Sequence, residues 1–179
     1  MGRTNRWTRG SIACFSTSFV EFIVSCWRSP ASTQTLCFLL MQVHLDKSLS
    51  ELESSVWGEP EFDSDVVGEC HRLRTVPLRA FTIENLRLMI AQEVGLEYLV
   101  PLAIEHLEAN PFVEGDYYPG DLLASVVGTP REFWTTHDDL RLKLCGIVSN
   151  AVSLVNSIDL PDNLRQKLAH QLSAFNGET

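Results

Sequence analysis

Between Ser48 and the C-terminus, the apolar residues of this chain recur three and four positions apart. Ile83, Leu86, Met89 and Ile90 form one such series, and Leu164, Leu168 and Leu172 form another. The longest runs through Leu140, Leu144, Ile147, Val148, Ala151, Leu154 and Val155. An α-helix turns once in ~3.6 residues, so each series draws a single stripe down one helix face. A half-buried strand needs apolar and polar residues to alternate. No such run occurs, and there is no Asn-Gly hairpin turn. The pattern predicts an all-α fold, an irregular compact bundle of about six or seven helices that each hide one stripe from water.

Caps and breakers place the boundaries. Ser48 and Glu51 have capping-box spacing and predict a short first helix. Gly58 and Pro60 break the chain after it. Asp63 or Ser64 opens a second helix, on which Val66, Val67, Cys70 and Leu73 share a face, and Pro77 ends it. Thr82 caps the third helix, and Gly95 is expected to close it. The next is expected to start near Val100, because Pro101 fits a first turn and is costly deeper. Asn110-Pro111 stops that helix, and Pro119-Gly120-Asp121 opens another, which leaves 112–118 as a connection. Thr129 and Pro130 read as the cap and first residue of a short turn or helix. Pro161 or Asp162 starts the last helix.

The first forty residues differ in character. They hold four arginines, one acid and three of the five cysteines, whereas residues 41–179 hold ten Lys/Arg against twenty-two Asp/Glu. The basic segment is a poor membrane span or signal peptide, because Glu21 and several serines interrupt its apolar part. It reads as an N-terminal extension, poorly structured or weakly helical. Met41 is the expected natural start, with residues 41–179 as the domain. That domain is strongly acidic, so it repels nucleic acid and anionic membrane and attracts basic partners. The cysteines form no C-x-x-C pair, and their odd number fits a reduced, cytoplasmic interior.

Catalytic equipment is sparse. There is no G-x-G-x-x-G, P-loop, H-E-x-x-H or G-x-S-x-G, and the five histidines are scattered. No cofactor or metal site is expected. Cys70 is expected in the core, with His71 on the surface. The unusual stretch is "EGDYYPGDLL", residues 114–123, where Glu114, Asp116 and Asp121 surround two tyrosines. Paired carboxylates serve acid–base chemistry when they converge in a pocket. They also cap helices, since acids near a helix start accept backbone N–H bonds. Asp121 and Leu122 are assigned to capping and core.

Several ordered landmarks resemble the helical contact-dependent growth-inhibition (CDI) immunity proteins. They are "LDKSLSELESSVWGEP", "FTIENLRLMIAQ", "GLEYLVPLA" and "EGDYYPGDLL", within a likeness running from about Leu45 to about Val155. Phe81 stands where leucine is more usual in that family, a conservative departure. The resemblance implies a cytoplasmic, non-enzymatic protein that binds and neutralises the C-terminal domain of a cognate toxin, in many cases a nuclease. It implies no direct contact with nucleic acid or membrane. Glu114, Asp116, Tyr117 and Tyr118 are the candidate toxin contacts. The alternative is an acidic helical adaptor or regulator of another basic protein.

Overall fold

The computed structural model describes residues 44–58 and 64–177. The expected extension, the 40/41 boundary and Asp63 therefore lie outside the described residues. Among those described, eight α-helices and one 3-10 turn account for the regular structure, and two isolated bridges are the sole β pairing. The all-α expectation holds, with slightly more helices than the apolar stripes alone suggest.

Helix α1 (Leu49–Leu52) carries the expected capping box. Ser48 N–H donates to Glu51 Oε2 at 2.8 Å, and Glu51 N–H donates to Ser48 Oγ at 3.4 Å. Helix α2 (Asp65–Leu73) starts after Ser64 and buries Cys70 and Leu73, while Val66 is exposed. His71 is half-buried, edge-on to Trp57 at 5.0 Å. The 3-10 turn (Leu78–Ala80) follows Pro77 and leads to α3 (Ile83–Ala91). There Thr82 and Asn85 exchange a second capping box, and Leu86, Met89 and Ile90 are buried.

Helix α3 does not close on Gly95. It ends at Ala91, four residues earlier, in a Schellman turn: Val94 N–H donates to Met89 O and Glu93 N–H to Ile90 O, both at 2.9 Å. The left-handed position goes to Glu93, at φ 58°, where glycine is usual. Gly95 opens the next helix instead. Helix α4 (Leu96–Ala109) thus begins four residues before Val100 and carries Pro101 inside it. The proline forgoes one backbone bond. Leu99, Val100, Ala103, Ile104 and Leu107 are all essentially inaccessible, and that burial offsets the loss.

Helices α5 (Asp121–Val127) and α6 (Arg131–Thr136) follow. Thr129 does not cap α6. Pro130 holds the cap position, and the Thr129 hydroxyl is buried with no partner among the described residues. Helix α7 (Asp138–Leu154) buries Leu144, Ile147, Val148 and Ala151, but Leu154 is exposed. At ~100° per residue, Leu154 falls about 70° from the centre of that stripe. Helix α8 (Asp162–Gly177) packs Leu168 and Leu172 back against α7 and α5. The core lies among α3, α4, α5, α7 and α8, and α5 sits against three of them.

Candidate functional site

The chain leaves α4 through Asn110, whose Oδ1 accepts the Phe112 N–H at 3.0 Å. This side-chain turn replaces the helical bonding that Pro111 cannot continue. Glu114 and Pro119 then pair as an antiparallel bridge, and Gly120 N–H donates to Val113 O at 3.3 Å. The result is a tight loop whose base is the start of α5. Gly120 sits at φ 89°, where a side chain would be strained.

Three consecutive loop N–H groups point at carboxylates. Gly115 donates to Asp121 Oδ1 at 2.8 Å, Asp116 to Glu84 Oε2 at 3.1 Å, and Tyr117 to Asp121 Oδ2 at 3.2 Å. Glu84 is itself gripped by Arg87 through two bonds of 2.7 Å. The Arg87 guanidinium lies 4.5 Å from the centre of the Tyr117 ring. A Cβ at Gly115 would stand 2.6 Å from Glu84 Oε2 and 2.9 Å from Asp121 Oδ2, so a side chain there would have to displace both carboxylates from the loop. The loop is therefore clamped between α3 and α5 by two inward carboxylates.

Asp121 does not cap its own helix. It is 3% exposed, and both oxygens serve the preceding loop. Leu122 is fully buried, as expected. The Arg87 bonds hold the Glu84 carboxyl below the usual glutamate range, against the opposing effect of burial. Burial and the Asp121 charge push the Tyr118 hydroxyl upward.

Of the remaining side chains, Phe112 and Val113 pack against the core and the rest lie nearer the surface. Glu114 and Asp116 are exposed, Tyr117 is 69% exposed and Tyr118 is half-buried. The three carboxylates of the stretch therefore do not gather in one pocket: two meet water and the third is sequestered. Among the described residues no group of three or more His, Cys, Asp or Glu is placed to hold a metal. No described helix is long and apolar enough to cross a membrane. Beside the tyrosines lies a cleft of about 190 Å³, lined also by Arg87, Ser125, Lys167 and Gln171.

The sequence around the loop is acidic, although Arg87 and Lys167 line the cleft beside its tyrosines. No Lys or Arg occurs from 88 to 130, while seven acids do. All but Asp121 are exposed. On α4, Glu97, Glu105 and Glu108 lie within about 80° of one another around the helix axis, making an acidic stripe. Lys143 reaches Glu108 at 3.8 Å. The residues that sequence reading missed are Glu84 and Arg87. Their i, i+3 spacing was a visible ion-pair signal, but nothing local linked it to a loop some thirty residues on.

A family model of CDI immunity proteins matches residues 51–144, just over half of the chain, and spans the whole clamp from Glu84 to Asp121. No curated protein and no solved structure matches the chain. The chain belongs to the CDI immunity proteins.

Proposed function

We propose that this member of the CDI immunity proteins stays in the cytoplasm of the producing cell and blocks one toxin domain by binding it. No chemistry of its own is involved, and the toxin carries a basic surface of the kind nucleases use to hold nucleic acid. The observation that carries the reading is the clamped loop, which holds two exposed carboxylates, the exposed Tyr117 and the half-buried Tyr118 on a domain whose sequence is strongly acidic.

Each part suits inhibition by docking. Unpaired acids speed association with a cationic surface and orient it. Tyrosine brings a large, stiff contact area and is over-represented among residues that dominate binding energy. A loop already fixed by its own N–H bonds loses little entropy on binding. Glu114, Asp116, Tyr117 and Tyr118 are the proposed contacts.

The test is co-purification of the full chain with the polypeptide encoded immediately upstream, at low and then moderate salt. A complex that forms, loses affinity as salt rises and abolishes the toxic activity supports the reading. A folded immunity protein that leaves toxicity unchanged overturns it. Binding of another basic protein in place of the toxin would favour the adaptor reading.

A further inference from the structure

The segment that leaves α1 carries a second exposed feature. Helix α1 ends in a turn with Ser54 at φ 49° and Ser55 N–H donating to Ser50 O at 3.2 Å. The turn carries the chain back over Arg74, a residue only 2% exposed. Arg74 donates from Nη1 to Glu53 Oε2 at 2.6 Å and from Nη2 to Ser55 O at 3.0 Å. Its guanidinium lies 4.2 Å from the centre of the Trp57 ring, and His71 meets that ring edge-on. The indole is held by both, yet Trp57 is 38% exposed and its neighbour Val56 is 90% exposed. A valine this open adds almost nothing to the core. A tryptophan whose ring is already fixed offers contact area to a partner at little entropic cost.

Charge identifies the occupant. From 48 to 75 the sequence holds seven acids against two arginines, Arg72 and Arg74. Both arginines are committed within the protein, to Glu69 and Glu53. Glu51 and Asp65 are exposed. A second copy of this chain would bring like charge to the same place, and nucleic acid or an anionic membrane would be repelled. A protein surface that sets basic residues around an apolar hollow suits both the charge and the rings. The position on the fold suits the same partner. A Cβ at Gly95 would touch Leu49, and Tyr98 Oη donates to Leu52 O at 3.4 Å, so α1 sits at the start of α4. The clamped loop follows the other end of α4. Fourteen residues at ~1.5 Å each set those ends about 20 Å apart. One partner's share of an ordinary interface, about 800 Å², is roughly 30 Å across and covers that distance. Glu97, Glu105 and Glu108 lie on α4 between the two ends.

We propose that Val56 and Trp57 form a second contact with the toxin, filling an apolar hollow bordered by basic residues on its surface. The inference rests on the reading of the chain as a toxin-binding protein. The apolar pair supplies the buried anchor, and the surrounding acids orient the partner over it.

The test measures the affinity of the full chain and its variants for the toxin polypeptide, together with hydroxyl-radical labelling, read by mass spectrometry, of the free chain and the complex. Trp57→Ala should weaken binding about tenfold or more. Val56→Lys should do the same, and its site is too exposed for the change to disturb folding. Labelling of Trp57 should fall when the complex forms. An unchanged affinity in either variant overturns the proposal, as does unchanged labelling of Trp57. Labelling that falls as the chain alone is concentrated assigns the patch to self-association and likewise overturns it. Failure of the toxin-binding reading looks different: the unaltered chain then forms no complex, and both inferences fall together.

Discussion

Removing the Asp121 carboxylate tests whether the loop is one clamped unit. In Asp121→Ala two backbone N–H groups, those of Gly115 and Tyr117, lose their acceptor. A hydrogen bond to a charged group contributes about 1.5–3 kcal/mol when its partner is left without a substitute. The loop lies at the surface, so water replaces part of each bond once it opens. The expected net loss is about 2–4 kcal/mol for the pair. For a domain of this size, 1 kcal/mol corresponds to about 3–4 °C, so Tm should fall by about 6–15 °C. Chemical denaturation should show a lower midpoint with an unchanged slope, and Glu114→Gln as a surface control should move stability by under about 0.5 kcal/mol. Gly115→Ala pushes a methyl into the same carboxylates, so the double variant should lose less than the sum of the singles. An Asp121→Ala protein within 0.5 kcal/mol of its parent, or strict additivity with Gly115→Ala, would refute the clamp.

The Glu84 carboxyl sits below the ordinary glutamate range, chiefly through its bonds from Arg87. A depressed folded-state value makes its contribution complete above the ordinary range and lost as pH falls through the lower value. The Asp116 amide resonance should therefore titrate in that acid window, and Glu84→Gln should remove the step; a step in the ordinary range would contradict it. Tyr117→Ala should cost under about 1 kcal/mol of stability, since its ring is mostly exposed over Arg87. The same variant should weaken toxin binding about tenfold or more, and equal affinity in a binding titration would remove Tyr117 from the contact set. The pair Glu114→Gln with Asp116→Asn should slow association at low salt, a difference that shrinks as salt screens it, as stopped-flow would show. Glu93→Gly should gain about 0.5 kcal/mol by relieving the left-handed turn, less what glycine's freedom costs, and a fall in Tm would show that the Glu93 side chain holds that turn.

Much of the architecture was legible because helix stripes and capping boxes are local. The Ser48–Glu51 box and the Thr82 cap read directly from spacing and residue type, while the return bond from Asn85 did not. The errors share one cause. Gly95 and Pro101 are strong local signals, but burial of Leu99 and Val100 outweighed the proline, and a Schellman turn placed Glu93 where glycine was expected. Within the stretch 114–123, sequence reading misassigned Asp121, which holds the preceding loop. Spacing cannot distinguish an acid that caps the helix ahead of it from one that turns back to hold the loop behind it. The Glu84 link was illegible for a similar reason, since a contact between helix and loop depends on how α3 packs against α5.

The clamp also explains why an acidic loop can stay folded before any partner arrives. Clustered carboxylates repel one another and favour opening. Here the inner pair is neutralised within the protein: Asp121 by two N–H groups, and Glu84 by Arg87 and a third. The outer pair, Glu114 and Asp116, stays in water, where repulsion is screened and weak. The loop thus separates the charges that build it from the charges it displays. The displayed set can therefore vary at little cost to the fold, whereas changes at Gly115, Asp121 and Glu84 disturb the bonds that hold the loop. On this division, variants of the outer residues should alter which toxin is bound, and variants of the inner ones should alter whether the loop exists to bind anything.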